Sequence, residues 1–110
     1  MSDYAVLEEL GLSKTAIACY ASLFEDGAAT ASQLAGRLSQ SRTGLYRVLE
    51  RMGQQGFITS LRVDLQPTYF DAELLDKALQ RHAEYQRQLL SELIKEQAEI
   101  LAKRSGKAIE

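Results

Sequence analysis

Five arginines, Arg37, Arg42, Arg47, Arg51 and Arg62, stand between residues 37 and 62 with Glu50 as the one acid among them. A guanidinium stays charged and donates in a planar fork, which suits phosphate oxygens and the major-groove edge of guanine. Ser41, Thr43 and Tyr46 are interleaved with Arg42 and Arg47 and add hydroxyl groups able to bond the same acceptors. The chemistry open to this set is non-covalent recognition of nucleic acid. Covalent chemistry has little to draw on, because the chain has one His and one Cys. It shows no glycine-rich phosphate loop, paired-carboxylate motif or metal-ligand spacing. No enzyme activity, metal site or cofactor is expected. A lone Cys19 also rules out an internal disulfide, and a reducing, cytoplasmic setting is the expectation.

Two short helices joined by a tight turn position these side chains. Thr30 and Gln33 have the spacing of a capping box, and Leu34, Ala35 and Leu38 follow as one apolar stripe. Ser39-Gln40-Ser41 interrupts the pattern with residues able to cap a second helix near Ser41. The inward stripe of that helix is Leu45, Val48, Leu49 and Met52, and Gly56 falls where a left-handed C-terminal cap is expected. On a helical wheel Thr43, Arg47, Glu50 and Gln54 lie opposite the stripe, with Arg42 and Tyr46 on a flank. This is a helix-turn-helix with a recognition helix at about 41–55, suited to a DNA major groove.

Base edges are reached from the first two turns of such a helix, which selects Ser41, Arg42, Thr43, Tyr46 and Arg47. Arg42 and Arg47 are the expected donors to base or phosphate. Ser41 and Thr43 hydrogen-bond either, and Tyr46 packs along the backbone. Glu50 would repel phosphate, so the deeper turns are expected to face away. Gly44 allows close approach either to DNA or to a neighbouring helix. Arg37 is a phosphate contact or a plain surface arginine.

The net charge of −2 over 110 residues is unevenly spread. Residues 1–30 hold one Lys against five acids, whereas residues 31–70 hold five Arg against Glu50 and Asp64. The positive charge therefore falls on the helix-turn-helix. The amino terminus lacks the cationic and apolar segments of a signal peptide, and no uncharged stretch approaches the ~20 residues of a membrane span. One Pro, no Trp and few aromatics favour a mainly α fold.

Around the helix pair, a first helix is expected from Ser13 to Gly27, with Ile17, Tyr20, Leu23 and Phe24 inward and Leu7, Leu10 and Leu12 as a helical lead-in. Tyr20 and Cys19 are expected in the core, where a thiol has little reactivity. After Gly56, the β-prone runs 57–62 and 66–70 predict a small hairpin wing, with Pro67 tolerable on an edge.

From Ala72 to about Arg104 the pattern is one helix about 50 Å long. Leu75, Leu79, His82, Gln86, Leu89, Leu93 and Ile100 follow 4-3 spacing, and Leu90, Ile94 and Leu101 widen the face. Such a helix needs a partner, and a second copy of the chain is expected to supply it. Leu75, Leu79, His82, Leu89, Leu93 and Ile100 would form the seam, where His82 could approach its symmetry mate. A helix folded back on its own domain is the alternative. The expected organisation is a winged helix-turn-helix domain over 1–71 and a dimerisation helix over 72–110.

The segment from LEELGLS through Tyr20, Gly27-Ala28-Ala29-Thr30-Ala31, Arg42-Thr43-x-x-Tyr46-x-Val48-Leu49 and Gly56-Phe57-Ile58 resembles the winged-helix domain of the TrmB-like transcriptional regulators of archaea and bacteria. The resemblance covers roughly residues 5–70. It implies a regulator that binds double-stranded DNA, as a homodimer in this chain's case, on half-sites about 34 Å apart or a multiple of it. Two departures stand out. The wing tip, Arg62-Val63-Asp64-Leu65-Gln66, has one acid and two apolar side chains where relatives often have Gly and basic residues, leaving Arg62 as its cationic candidate. Longer relatives carry a sugar-binding domain beyond the helix, so this chain is expected to be a short form and sugar sensing is not carried over. The alternative function is a winged-helix protein-interaction module, an accessory subunit of a transcription or chromosome complex, which the apolar tip and the overall acidity favour.

Overall fold

Side-chain oxygens start the helices that matter for the site. A computed structural model describes residues 4–109, with side chains described for 4–104. After a short α1 (Ala5–Glu9), helix α2 (Lys14–Asp26) begins where Ser13 Oγ accepts from the Ala16 N–H at 3.1 Å, and Gly27 ends it. Helix α3 (Ala31–Leu38) carries the full capping box: Gln33 N–H donates to Thr30 Oγ1 at 3.1 Å, and Thr30 N–H donates to Gln33 Oε1 at 3.0 Å. Ser39 then turns the chain with φ 53°, and helix α4 (Arg42–Gln55) starts on Ser41 Oγ, which accepts from Gly44 N–H at 3.4 Å. Gly56 closes α4 at φ +96°, the left-handed cap its position predicts.

Burial follows the helical stripes with one shift. Leu34 and Ala35 of α3 and Leu45, Leu49 and Met52 of α4 are buried, with Leu38 and Val48 packed at the edge. On α2 the core positions are Ala16, Cys19, Tyr20 and Leu23, an i, i+3, i+4, i+7 set. Phe24, expected inside, lies a step off that stripe and is 53% exposed, stacked on Tyr20 at 6.1 Å between ring centroids. Ile17 is half-buried. Leu7 and Leu12 are buried in the lead-in as expected.

The wing is larger than a hairpin. Strands β1 (Ala29–Thr30), β2 (Ile58–Leu61) and β3 (Tyr69–Ala72) form an antiparallel sheet in the order β1-β3-β2, with Ala29 opposite Phe70 and Ile58 opposite Ala72. The third strand thus runs later than the 66–70 segment expected for it. Pro67 sits in the connecting loop, where its missing N–H removes nothing from the ladder. The tip turn closes with Gln66 N–H donating to Val63 O at 3.0 Å, and Asp64 has φ 51°.

The long helix α5 (Leu75–Ile109) begins three residues later than expected, because Ala72 still pairs in the sheet. Glu73 holds the junction: its N–H donates to Phe57 O at 3.0 Å, its carbonyl accepts from Tyr20 Oη at 2.6 Å, and its carboxylate pairs with Arg81 at 3.0 Å. The first turns of α5 pack on the winged unit. Ala78 is fully buried, and a Cβ added to Gly56 would stand 2.5 Å from Arg81 Cβ, so α5 crosses directly over the end of α4.

His82 departs from the expected seam. It is 5% exposed within its own domain, with Nδ1 3.2 Å from Gln55 O and its ring between Phe57 and Tyr85 at 4.7 and 5.9 Å. The reason is the 4-3 stripe itself, whose first turns lie against α4 and Phe57 before the helix leaves the domain. Leu75, Leu79, Leu89, Leu90, Leu93, Ile94, Ile100 and Leu101 are all exposed.

Candidate nucleic-acid interface

The inner face of α4 is committed to the core, and this orients the outer face. Ser41, Arg42, Thr43, Tyr46, Arg47 and Glu50 are all exposed. Arg42, Thr43, Tyr46, Arg47 and Glu50 border one shallow depression on this face. Among the described residues the ion pairs are Arg81–Glu73 and Arg87–Glu84, so the guanidinium groups of Arg42, Arg47, Arg51 and Arg62 are not neutralised by a carboxylate. A free guanidinium on an exposed helix face is open to an incoming phosphate or guanine.

The sequence-derived candidates divide in three. Arg42, Thr43, Tyr46 and Arg47 are brought together as expected, with Tyr46 braced edge-on against Phe70 of β3 at 6.2 Å. Ser41 has its oxygen engaged as the α4 cap, and its hydroxyl proton remains for an outside acceptor. Arg37 is tied elsewhere: its Nη1 donates to Gly27 O at 3.0 Å and links α3 to the end of α2. Arg62 is exposed beside the tip and borders the groove between α4 and the wing.

Glu50 lies on the outer side of α4 with Thr43 and Arg47, as the helical wheel predicts, sharing the depression with Arg47 and also bordering the α4–wing groove. It stands four residues after Tyr46 and three after Arg47, and such residues are neighbours on a helix surface. The groove, about 750 Å³ in volume, has Tyr46, Leu49, Ile58 and Phe70 along its walls and Arg62 and Arg81 at its edges. Gly44 has only Ser41 Oγ, 4.0 Å away, near where a Cβ would stand, so no second helix needs its small size.

Sequence reasoning missed the start of α3 as part of this surface. Thr30, Ala31 and Ser32 border a second depression with Arg42, Pro67 and Thr68. The contact joins segments far apart in sequence through β1–β3 pairing, and the two-residue β1 carries no strand signal of its own.

Two buried groups are chemically silent. Burial pushes the Cys19 thiol up to about 11, so it holds its proton at neutral pH. Burial, and after it the charge of Glu73, raises Tyr20 above its ordinary value. Among the described residues no group of His, Cys, Asp and Glu could hold a metal ion, and no helix is long and apolar enough to cross a membrane.

A short helix, a turn, a longer helix with its outer face open, and a three-stranded sheet beside it together define a winged helix-turn-helix. The sequence matches the family described as "Sugar-specific transcriptional regulator TrmB" over residues 7–73, and the chain belongs to that family. No curated protein matches it. Among solved structures, the fold is similar to one described as a transcriptional regulator, with TM-score 0.72 and 22% identity over 94% of this chain and 71% of the other. It is also similar to the transcriptional regulator Tm0710 from Thermotoga maritima, with TM-score 0.59 and 14% identity over 94% and 78%. A third is the Multiple Antibiotic Resistance Repressor, MarR, with TM-score 0.57 and 21% identity over 91% and 80%. These structural likenesses establish the fold, and the family match places the chain among transcriptional regulators.

Proposed function

We propose that the protein is a non-enzymatic, cytoplasmic transcriptional regulator that binds double-stranded DNA as a homodimer, with α4 in the major groove. The observation that carries this reading is the pair Arg42 and Arg47, exposed, free of carboxylate partners and on the same depression as Thr43 and Tyr46. Arg42 and Arg47 donate to phosphate or guanine, Ser41 and Thr43 hydrogen-bond alongside, and Tyr46 lies along the backbone. Arg62 reaches phosphate from the wing. Arg37, held by Gly27, contributes through the donors left over. In this reading residues 1–71 read DNA and residues 72–110 join two copies through the α5 leucines, the first turns of α5 also bracing α4. The matched residues 7–73 form the winged helix, and no sugar is assigned to them.

Fluorescence anisotropy against a mixed-sequence duplex over a salt series tests this. The log–log salt slope should fall by about 0.9 for each phosphate contact removed, so an Arg42→Ala/Arg47→Ala variant should lose up to about two units of slope. An unchanged slope and affinity would refute the role given to α4.

The exposed wing tip favours a second reading, a protein-interaction module, because Leu61, Val63 and Leu65 are 67, 56 and 95% exposed there. Under that reading the unmodified protein does not bind the duplex even at low salt, and the double variant retains its protein partner.

A further inference from the structure

The groove between α4 and the wing stays open because small residues face it from both sides. On α4 it is bordered by Tyr46, Leu49, Glu50, Gly53 and Gln54, spaced by threes and fours along one side of the helix. Gly53 brings no side chain, and a Cβ added there would have nothing within 4 Å. On the sheet, Ser60 stands opposite Phe70 in the β2–β3 register and two residues from Ile58, so these three share a face. Ile58 and Phe70 are buried, whereas Ser60 is short and exposed, and Thr68 beside it is short as well. The result is a groove of about 750 Å³ with Leu49, Ile58 and Phe70 as an apolar floor. That volume is in the range of small-molecule sites.

The charges on its edge select the ligand. Arg62 has no carboxylate partner among the described residues, and Arg81 gives Nη1 to Glu73 at 3.0 Å while its other donors remain. Glu50 is the one acid on the lining, and it also borders the depression on the outer face of α4. Two guanidinium groups favour an anion, and the floor favours a hydrocarbon body. A DNA phosphate offers the first and not the second. Base edges are also reached from the first two turns of α4, whereas Gly53 and Gln54 lie in its last.

We propose that this groove binds a small organic acid, with its anionic group on Arg62 and a flat apolar body against Leu49, Ile58 and Phe70. Tyr46 and Arg62 belong both to the groove and to the surface proposed to meet DNA, so the acid and the duplex exclude one another. That exclusion rests on the DNA-binding reading above; occupation of the groove does not.

Amide NMR shifts of the DNA-free chain, titrated with naphthoate, test the site. The shifts should fall on residues 49–54, 58–62 and 68–70. Naphthamide keeps the body and loses the charge, and it should bind at least about fivefold more weakly. Arg62→Gln, at an exposed position, should weaken naphthoate by a similar factor. Gly53→Leu places a helix-favouring side chain in the groove and should abolish the shifts with the fold intact. An absence of shifts, shifts confined to α5, equal binding of the amide, or the same shifts from inorganic phosphate alone would overturn the proposal. Anisotropy then reads the exclusion: naphthoate should release a mixed-sequence duplex from the parent chain and not from Gly53→Leu. Duplex binding that is unmoved while naphthoate fills the groove would overturn the exclusion. No duplex binding in the absence of naphthoate would overturn the DNA-binding reading and leave the groove site standing on its shifts.

Discussion

Gly56 and Gly53 stand one helical turn apart, and their replacement by Ala should have opposite effects. At Gly56 the backbone has φ +96°, and an added Cβ would meet Arg81 Cβ at 2.5 Å, Arg81 C at 3.1 Å and His82 N at 3.2 Å. Left-handed backbone costs a residue with a Cβ about 1–2 kcal/mol. Forcing a methyl group into a packed site costs about 1–3 kcal/mol more. The backbone of α5 cannot move alone, because Ala78 and His82 next to it are buried. Gly56→Ala should therefore destabilise by about 2–5 kcal/mol. Gly53 lies inside α4 with nothing within 4 Å of an added Cβ, and Ala there should stabilise by about 0.5–1 kcal/mol. Urea unfolding followed by circular dichroism, at one protein concentration for all variants, reads both changes. A Gly56→Ala variant within about 1 kcal/mol of the parent would refute the tight α4–α5 crossing.

Thr30→Ala removes the bond from Gln33 N–H to Thr30 Oγ1 in the α3 capping box at a buried position and should cost about 1 kcal/mol in the same assay, with Thr30→Ser recovering most of it. The Cys19 thiol is raised by burial from 9.0 to about 11, so the folded state holds this proton more tightly than the unfolded chain does. Its contribution to stability is complete below pH 9 and is lost as the pH rises through about 11; a Cys19→Ala variant should show a shallower alkaline decline when unfolding is measured across that range. A thiol reagent at neutral pH should label the native protein no faster than the chain opens. Glu50→Gln should raise affinity for a mixed-sequence duplex a fewfold at low salt and less at high salt, because screening shortens the reach of the removed charge. An unchanged affinity in anisotropy would place Glu50 away from the phosphates.

Local signals in this chain were readable because the forces behind them are local. A hydroxyl three residues before an amide made the Thr30–Gln33 box legible, and the cap at Gly56 follows from its place after the α4 stripe. Contacts between distant segments were not. Residues 29 and 30 are too few to show strand periodicity, and Ala29–Thr30 pairs only because β3 is presented to it by the fold. The same holds for Glu73, whose three partners, Phe57, Tyr20 and Arg81, come from three separate parts of the chain. His82 shows a subtler limit. A 4-3 stripe identifies the face of a helix that is covered but not what covers it, and here its first turns meet the chain's own α4 and Phe57. For the site, residue type and the helical wheel were enough to gather Arg42, Thr43, Tyr46 and Arg47 on one face. They could not show that Arg37 is spoken for by Gly27, since that bond depends on how α2 and α3 pack.

The same packing explains how a chain of net charge −2 can present a cationic face. Charge acts over about 10 Å at 0.1 M salt, so what a ligand meets is the local distribution and not the sum. Arg42 and Arg47 lie in the first two turns of α4, while Glu50 follows one turn later on the same side. The attractive region is therefore short, and it ends where the acid begins. In the proposed complex, seating α4 by its amino-terminal half would bring the arginines to the phosphates and keep the carboxylate at the rim. The orientation of that half is set from behind, by Leu45 and Leu49 in the core, and from its far end, where Gln55 and Gly56 are held against His82 and Arg81 of α5. A change at the α4–α5 crossing should therefore reach the side chains proposed to meet DNA without touching them, by altering the support of the helix that carries them.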